Sequence, residues 1–236
     1  MKNLFYITLL FISSLSCMPK NKVDTSSFYP DKTMQVRYHT EWTANHYKER
    51  IAVFKATPLA HKDIVFLGNS ITEKGGDWGA KFGLPNIKNR GISGDVTDGF
   101  LLRLGEIAYY KPSKVFIMIG VNDLFNLHYQ KQIPSAEYVA NNILKIVDQM
   151  HEVSPTTEIY VESILPDHQD FMAPLINKVN TIVMEHDGKK FTYINLNPLF
   201  QDKKGLMNNK LSTDGTHLNE DGYAIWVDAI KEIVKN

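Results

Sequence analysis

From Asp63 onward, short apolar runs alternate with longer segments in which apolar positions recur every three or four residues. The runs IVFLG (64–68), VFIMIG (115–120), IYVESIL (159–165) and TYINL (192–196) read as strands, and NIKN (86–89) is a candidate fifth. Three of them are almost continuously apolar, the pattern of strands covered on both faces of a parallel sheet. Between the runs, Val139, Ile143, Ile146, Val147 and Met150 share one face of a predicted helix. Leu175, Val179, Ile182 and Val183 share a second such face, and Tyr223, Trp226, Val227, Ile230, Ile233 and Val234 define a closing helix. This alternation predicts an α/β fold, a three-layer α/β/α sandwich on a mostly parallel five-stranded sheet with right-handed crossovers. The spacing leaves no room for a second domain, so a single domain is expected over residues 36–236. At its start, residues 41–55 read as a helical extension. Tyr47, Ile51 and Phe54 fall there at i, i+4 and i+7, a stripe suited to packing on the sheet.

The N-terminus follows a different pattern. Between Lys2 and Lys20 no residue is charged, and the first half of that stretch is strongly apolar. A helix needs roughly 20 apolar residues to span a bilayer, and this run is shorter, with a Ser-rich second half. Residues 1–16 are therefore expected to be an export signal peptide. The single cysteine, Cys17, follows Ser16 where processing would occur, so it is the expected lipidation site of a bacterial lipoprotein signal, periplasmic or outer-membrane. Ser14 departs from the aliphatic residue usual in that signal. Residues 17–35, polar and carrying Pro19 and Pro30, read as a tether.

Composition removes several function classes. Lys plus Arg and Asp plus Glu are both 26, so no net field would gather nucleic acid. Contact with a membrane is expected only through the possible lipid anchor. One cysteine excludes an intrachain disulfide and any Cys-based metal motif, and the eight histidines form no recognisable ligand spacing. No metal and no organic cofactor is implied.

Ligands of open α/β sheets sit beyond the carboxyl ends of the strands, and the residues there are unusual. The first strand runs into Gly68, Asn69 and Ser70; the candidate second is followed by NRGISGD with Gly94; the third by GVND with Asn122 and Asp123. DGTHLN, with Asp214 and His217, precedes the closing helix. Each has a structural alternative. Ser70 and Glu73 have the Ser-x-x-Glu spacing of a helix capping box, Asn122 or Asp123 suits a helix cap, and Asp214-Gly215 suits a turn.

The four blocks in this order resemble the SGNH (GDSL-type) hydrolases, through GNSIT, GISGD, GVND and DGTHL, over residues 63 to about 235. The resemblance implies a flavodoxin-like fold and a serine esterase with Ser70 as nucleophile, His217 as base and Asp214 as its partner. It assigns an oxyanion hole to the Ser70 and Gly94 N–H groups and the Asn122 side-chain amide. Asn69 stands where the family usually has Asp, which bears on the loop more than on the chemistry. The longer Gly-x-Ser-x-Gly elbow is absent, because Thr72 occupies its second Gly. The expected substrate is a small-molecule or carbohydrate ester with a short acyl group, such as acetyl, and Trp78 is the candidate residue for stacking on a sugar ring. Lysophospholipase or thioesterase activity is the alternative within the family, and a non-catalytic binding protein on the same scaffold is the alternative outside it.

Overall fold

The structure, a computed structural model, describes residues 28–31 and 33–236. Five strands, β1 (Ile64–Gly68), β2 (Ile87–Gly91), β3 (Lys114–Met118), β4 (Glu158–Glu162) and β5 (Thr192–Ile194), form one sheet in the order β2-β1-β3-β4-β5. Every neighbouring pair is parallel. Around it lie α1 (Glu41–Ala56), α2 (Ser70–Lys74), α3 (Trp78–Phe82), α4 (Thr97–Leu101), α5 (Gly105–Tyr110), α6 (Val121–Tyr129), α7 (Ala136–Val153), α8 (Met172–Met184) and α9 (Glu220–Lys235). This is the α/β sandwich that the alternating pattern predicts. The strand order reverses between β1 and β3, so a crevice opens at their carboxyl ends.

Alternation along the strands assigns the layers. Phe66, Phe116 and Tyr160 lie on one rung of β1, β3 and β4, and their rings stack at centroid distances of 4.8 Å and 4.8 Å. Trp78 of α3 stacks on Phe66 at 4.4 Å, and Trp226 of α9 meets Trp78 edge-on at 4.8 Å. Asn89 of β2 occupies the same rung beside Phe66. Its amide donates to the carbonyls of Thr72, Glu73 and Gly76, so a polar residue inside a strand closes the end of α2. The neighbouring rung presents Arg90 to the opposite side, where it forms a two-point ion pair with Glu106 of α5 (2.8 and 2.9 Å).

A second buried arginine ties the sheet to its loops. Arg103 is 1% exposed and pairs with Asp95, itself wholly buried, at 2.9 Å. Its Nη1 and Nη2 donate to the carbonyls of Arg90 (2.8 Å) in β2 and Gly68 (2.9 Å) at the end of β1.

One expectation changes here. The predicted tether, 17–35, is docked at Phe28 and Tyr29, while Asp31, Thr33, Met34 and Gln35 are exposed. Phe28 and Tyr29 are buried, and Phe28 packs on Tyr109 at 4.8 Å and Tyr110 at 5.9 Å. Two aromatics dock this point of a stretch whose average composition is polar. The helical extension forms as α1, with Tyr47, Ile51 and Phe54 buried as their spacing predicts. The signal-peptide segment 1–16 and Cys17 lie outside the described residues.

Two consequences are measurable. Arg103→Met removes the guanidinium paired with the buried Asp95 carboxylate and leaves His39 Nε2, at 3.3 Å, as its remaining ring partner; the change is expected to cost about 3–5 kcal/mol of stability, measured by urea denaturation. Glu162, at the end of β4, is pushed up to about 8 by burial, partly offset by the hydrogen bond it accepts from Trp226 Nε1 at 2.6 Å. The folded state thus holds a proton that the unfolded state releases, so stability falls as pH rises from the ordinary carboxyl range toward that value. Glu162→Gln removes this term. Between about pH 5 and 8 the melting temperature of the wild type is expected to drop several degrees more than that of the variant.

Candidate active site

Ser70 is the first residue of α2, directly beyond the end of β1. The N-cap is Asn69, whose Oδ1 accepts from the Ile71 N–H at 3.0 Å. The Ser-x-x-Glu spacing therefore does not form a capping box. With Asn69 doing that work, the Ser70 hydroxyl is left free to point elsewhere. It also answers the Asp-to-Asn departure in the first block: the amide oxygen alone supplies the cap.

The hydroxyl meets His217. Ser70 Oγ lies 2.8 Å from His217 Nε2, and His217 Nδ1 lies 2.7 Å from Asp214 Oδ2. An ionised carboxylate only accepts, so Nδ1 carries the proton and Nε2 of the neutral ring accepts from the Ser70 hydroxyl. Asp214 also receives the N–H groups of His217 (2.8 Å) and Thr216 (3.0 Å) on its other oxygen. Partial burial works against its charge. The hydrogen bonds from His217 and Thr216 outweigh that and hold its carboxyl well below the usual range.

The loop bearing this pair is stiffened from both sides. Ser212 Oγ donates to the His217 carbonyl at 2.6 Å, and Ser212 and Leu218 form an antiparallel bridge. Thr216 Oγ1 donates to buried Asp167 at 2.5 Å, and the His168 N–H donates to the Gly215 carbonyl. Tyr223 of α9 donates its hydroxyl to the Ile71 carbonyl at 2.7 Å, which locks the helix after His217 to the helix that begins with Ser70.

The other two blocks converge on the same edge. Gly68 and Gly91 are register partners, so Ser70 and Gly94 sit two and three residues beyond one rung. Gly91 is needed there because a Cβ would collide with the backbone of Glu73. Gly94 has φ +79°, a left-handed conformation that other residues enter with strain. Asn122, the second residue of α6, donates from Nδ2 to the Asp95 carbonyl at 2.9 Å, which anchors one amide hydrogen and leaves the second. Asp123 takes no cap role. It is buried and accepts from the N–H and hydroxyl of Thr97 (3.0 and 2.6 Å), fastening α6 to α4; burial, opposed by those hydrogen bonds, raises it to about 7.

Trp78 is not in this site. It is 1% exposed, donates Nε1 to the Thr72 carbonyl and stacks in the core, so it has no face for a substrate. Periodicity does not distinguish a Trp near a loop from one beneath it. Sequence reasoning missed Asp167 and Arg103, which brace the loops, and it missed the true partners of Glu73. That carboxylate accepts from the Ser93 N–H (2.5 Å) and Ser93 Oγ (2.8 Å) and pairs with His46 (3.0 Å) and Arg50 (3.3 Å) of α1. Burial raises its pKa, yet these partners bring it below its ordinary value.

Comparison with known proteins gives the family. A solved GDSL-like lipase from Bacteroides thetaiotaomicron superposes with a TM-score of 0.67 at 24% identity, covering 80% of this chain and 97% of that one. An acetyl-xylooligosaccharide esterase from Geobacillus superposes with a TM-score of 0.61 at 20% identity, covering 74% and 95%. At such identities the likeness is one of fold. N-acylneuraminate cytidylyltransferase of Escherichia coli O18:K1:H7 is 30% identical over 124 residues, which is 51% of this chain; the chain spans 28% of the length of that curated relative. The model of the GDSL-like Lipase/Acylhydrolase family matches residues 66–225, a stretch that carries all four blocks, and the chain belongs to this family of ester-bond hydrolases.

Proposed function

We propose that the protein is a serine esterase that cleaves short-chain acyl esters of carbohydrates, acetyl esters first among them, through an acyl-enzyme on Ser70. The observation that carries this reading is the unbroken hydrogen-bond chain from Ser70 Oγ through the His217 ring to Asp214 (2.8 and 2.7 Å). A serine hydroxyl needs an adjacent base to attack at neutral pH. His217 Nε2 takes the Ser70 proton as Oγ bonds to the ester carbonyl carbon, and Asp214 stabilises the imidazolium that results. The tetrahedral intermediate then collapses. The C–O bond to the alcohol breaks, and the alcohol leaves with the proton from Nε2. Water, deprotonated by the same nitrogen, attacks the acyl-enzyme, releases the acid and restores Ser70.

The charge that builds on the carbonyl oxygen requires donors already in position. Ser70, at the first position of α2, has an N–H with no acceptor inside its helix. The second hydrogen of Asn122 Nδ2 and the Gly94 N–H complete the set. The acetyl-carbohydrate preference is supported by the name of the Geobacillus neighbour, an acetyl-xylooligosaccharide esterase. On the apolar leader and Cys17, we extend the proposal to action outside the cytoplasm, on a lipid anchor.

Three measurements test this. Ser70→Ala is expected to abolish labelling by a serine-directed phosphonate and hydrolysis of p-nitrophenyl acetate; retained turnover would exclude Ser70 as nucleophile. Asn122→Ala should lower kcat roughly 100-fold or more, in line with the ~2.7–4 kcal/mol that one oxyanion donor supplies. A loss of only a few-fold would remove Asn122 from the oxyanion hole. A p-nitrophenyl series from acetate to palmitate should show kcat/KM falling with chain length, whereas a rise would favour a lysophospholipase or thioesterase.

A further inference from the structure

The protein has three tryptophans. Trp78 and Trp226 are core residues at 1% and 0% exposure, whereas Trp42 is 61% exposed. A single exposed aromatic is common on protein surfaces, but this one is stacked on a neighbouring ring and lies beside Gly94. Its indole lies flat on the His46 ring, with centroids 5.2 Å apart and planes 5° from parallel. His46 Nε2 is held by both oxygens of Glu73 at 3.1 and 3.0 Å. Glu73 belongs to the Ser70 helix and grips Ser93, the residue before Gly94. Arg50 completes the mount by pairing with Glu73 and donating to the Gly91 carbonyl at 3.1 Å. The indole also abuts the Gly94 backbone, since a Cβ placed on Gly94 would stand 3.3 Å from Trp42 Cζ3 and closer still to the Thr43 methyl.

We infer that Trp42, backed by His46, is the platform on which the alcohol portion of the substrate rests, and that the geometry suits the C–H face of an O-acetylated pyranose ring. This rests on the esterase reading and deepens it. A flat indole already stacked on a neighbouring ring presents apolar area at a lower entropy cost than a flexible side chain. One ring beside the oxyanion donors matches a sugar ring in size, while a long acyl chain would need an apolar trough. The platform lies on α1, outside residues 66–225 that match the family model.

The test compares an O-acetylated xylo-oligosaccharide with methyl acetate, which has no ring, as substrates for the wild type, Trp42→Ala and Trp42→Phe. Trp42→Ala is expected to lower the ratio of kcat/KM for the sugar ester to that for methyl acetate about tenfold, through KM rather than kcat, and Trp42→Phe to restore most of it. A ratio within about twofold of the wild type, or a loss expressed only in kcat, overturns the platform while leaving the esterase intact. Absence of Ser70-dependent hydrolysis of methyl acetate by the wild type overturns the esterase reading and the platform with it. Binding is read separately in Ser70→Ala. Titration with the acetylated oligosaccharide should shift Trp emission to the blue, and the shift should vanish when Trp42→Ala is added; a shift that survives in the double variant counts against the assignment.

Discussion

The site depends on one buried cation. Arg103 reaches the carbonyl that ends β1, the carbonyl of Arg90 in β2, and the Asp95 carboxylate in the loop that carries Gly94. The third strand's loop joins through the same residue, because the Asp95 carbonyl accepts from the Asn122 amide. Burying a guanidinium is costly unless it is paired and hydrogen-bonded, and here each of its three nitrogens donates, one to a carboxylate and two to backbone carbonyls. The result is that three loops from three strands share one rigid anchor. Donors meant for a developing oxyanion gain most when they need no reorganisation at the moment of reaction, and this anchor supplies that rigidity from below.

The two halves of the hydrogen-bond chain are assembled by different means. Asp214 and His217 are three residues apart, and the tight loop between them presents the carboxylate to both the ring and the backbone of His217. That half is local. Ser70 and His217 are separated by 147 positions, and only tertiary structure unites them. Tyr223 bonded to the Ile71 carbonyl and the Trp78–Trp226 contact beneath it fix α9 against α2 and α3. The aromatic layer over Phe66, Phe116 and Tyr160 thus serves as the base plate that fixes the distance between Ser70 and His217.

Much of this was legible in the sequence for identifiable reasons. Strands covered on both faces must be apolar throughout, so β1, β3 and β4 stand out, and chemistry gathers where they end. Even β2, weak by composition, is bounded by the turn residues that follow it. What was not legible concerns direction. Ser70 and Glu73 have capping-box spacing, but the pattern does not reveal that Asn69 caps first, nor that Glu73 turns toward α1. The reading of Trp78 as a substrate contact failed for the same reason, since its position after a loop conceals that Gly75 leaves space for its ring to fold inward. Averaging over a polar stretch hid Phe28 and Tyr29. Trp42 did leave a signal. At 100° per residue it lies about 140° from Tyr47 and so off the buried stripe of α1, an apolar residue on the face that packing does not explain.

That misplaced tryptophan bears on how a shared core acquires a preference. The four blocks lie within the segment that matches the family model, and the Ser70–His217–Asp214 chain is built from it alone. The helix before it contributes no group to that chain, yet Glu73 clamps it to the helix that begins with Ser70 and to the loop that carries Gly94. An element outside the matched segment can alter what approaches Ser70 without disturbing the Ser70–His217 contact, provided it is attached through residues behind that contact. Glu73 meets that condition: its oxygens face Ser93, His46 and Arg50, while the Ser70 hydroxyl three residues earlier faces His217. One short helix therefore serves two contacts, with the hydroxyl that meets His217 at its first position and the mount for α1 at its fourth.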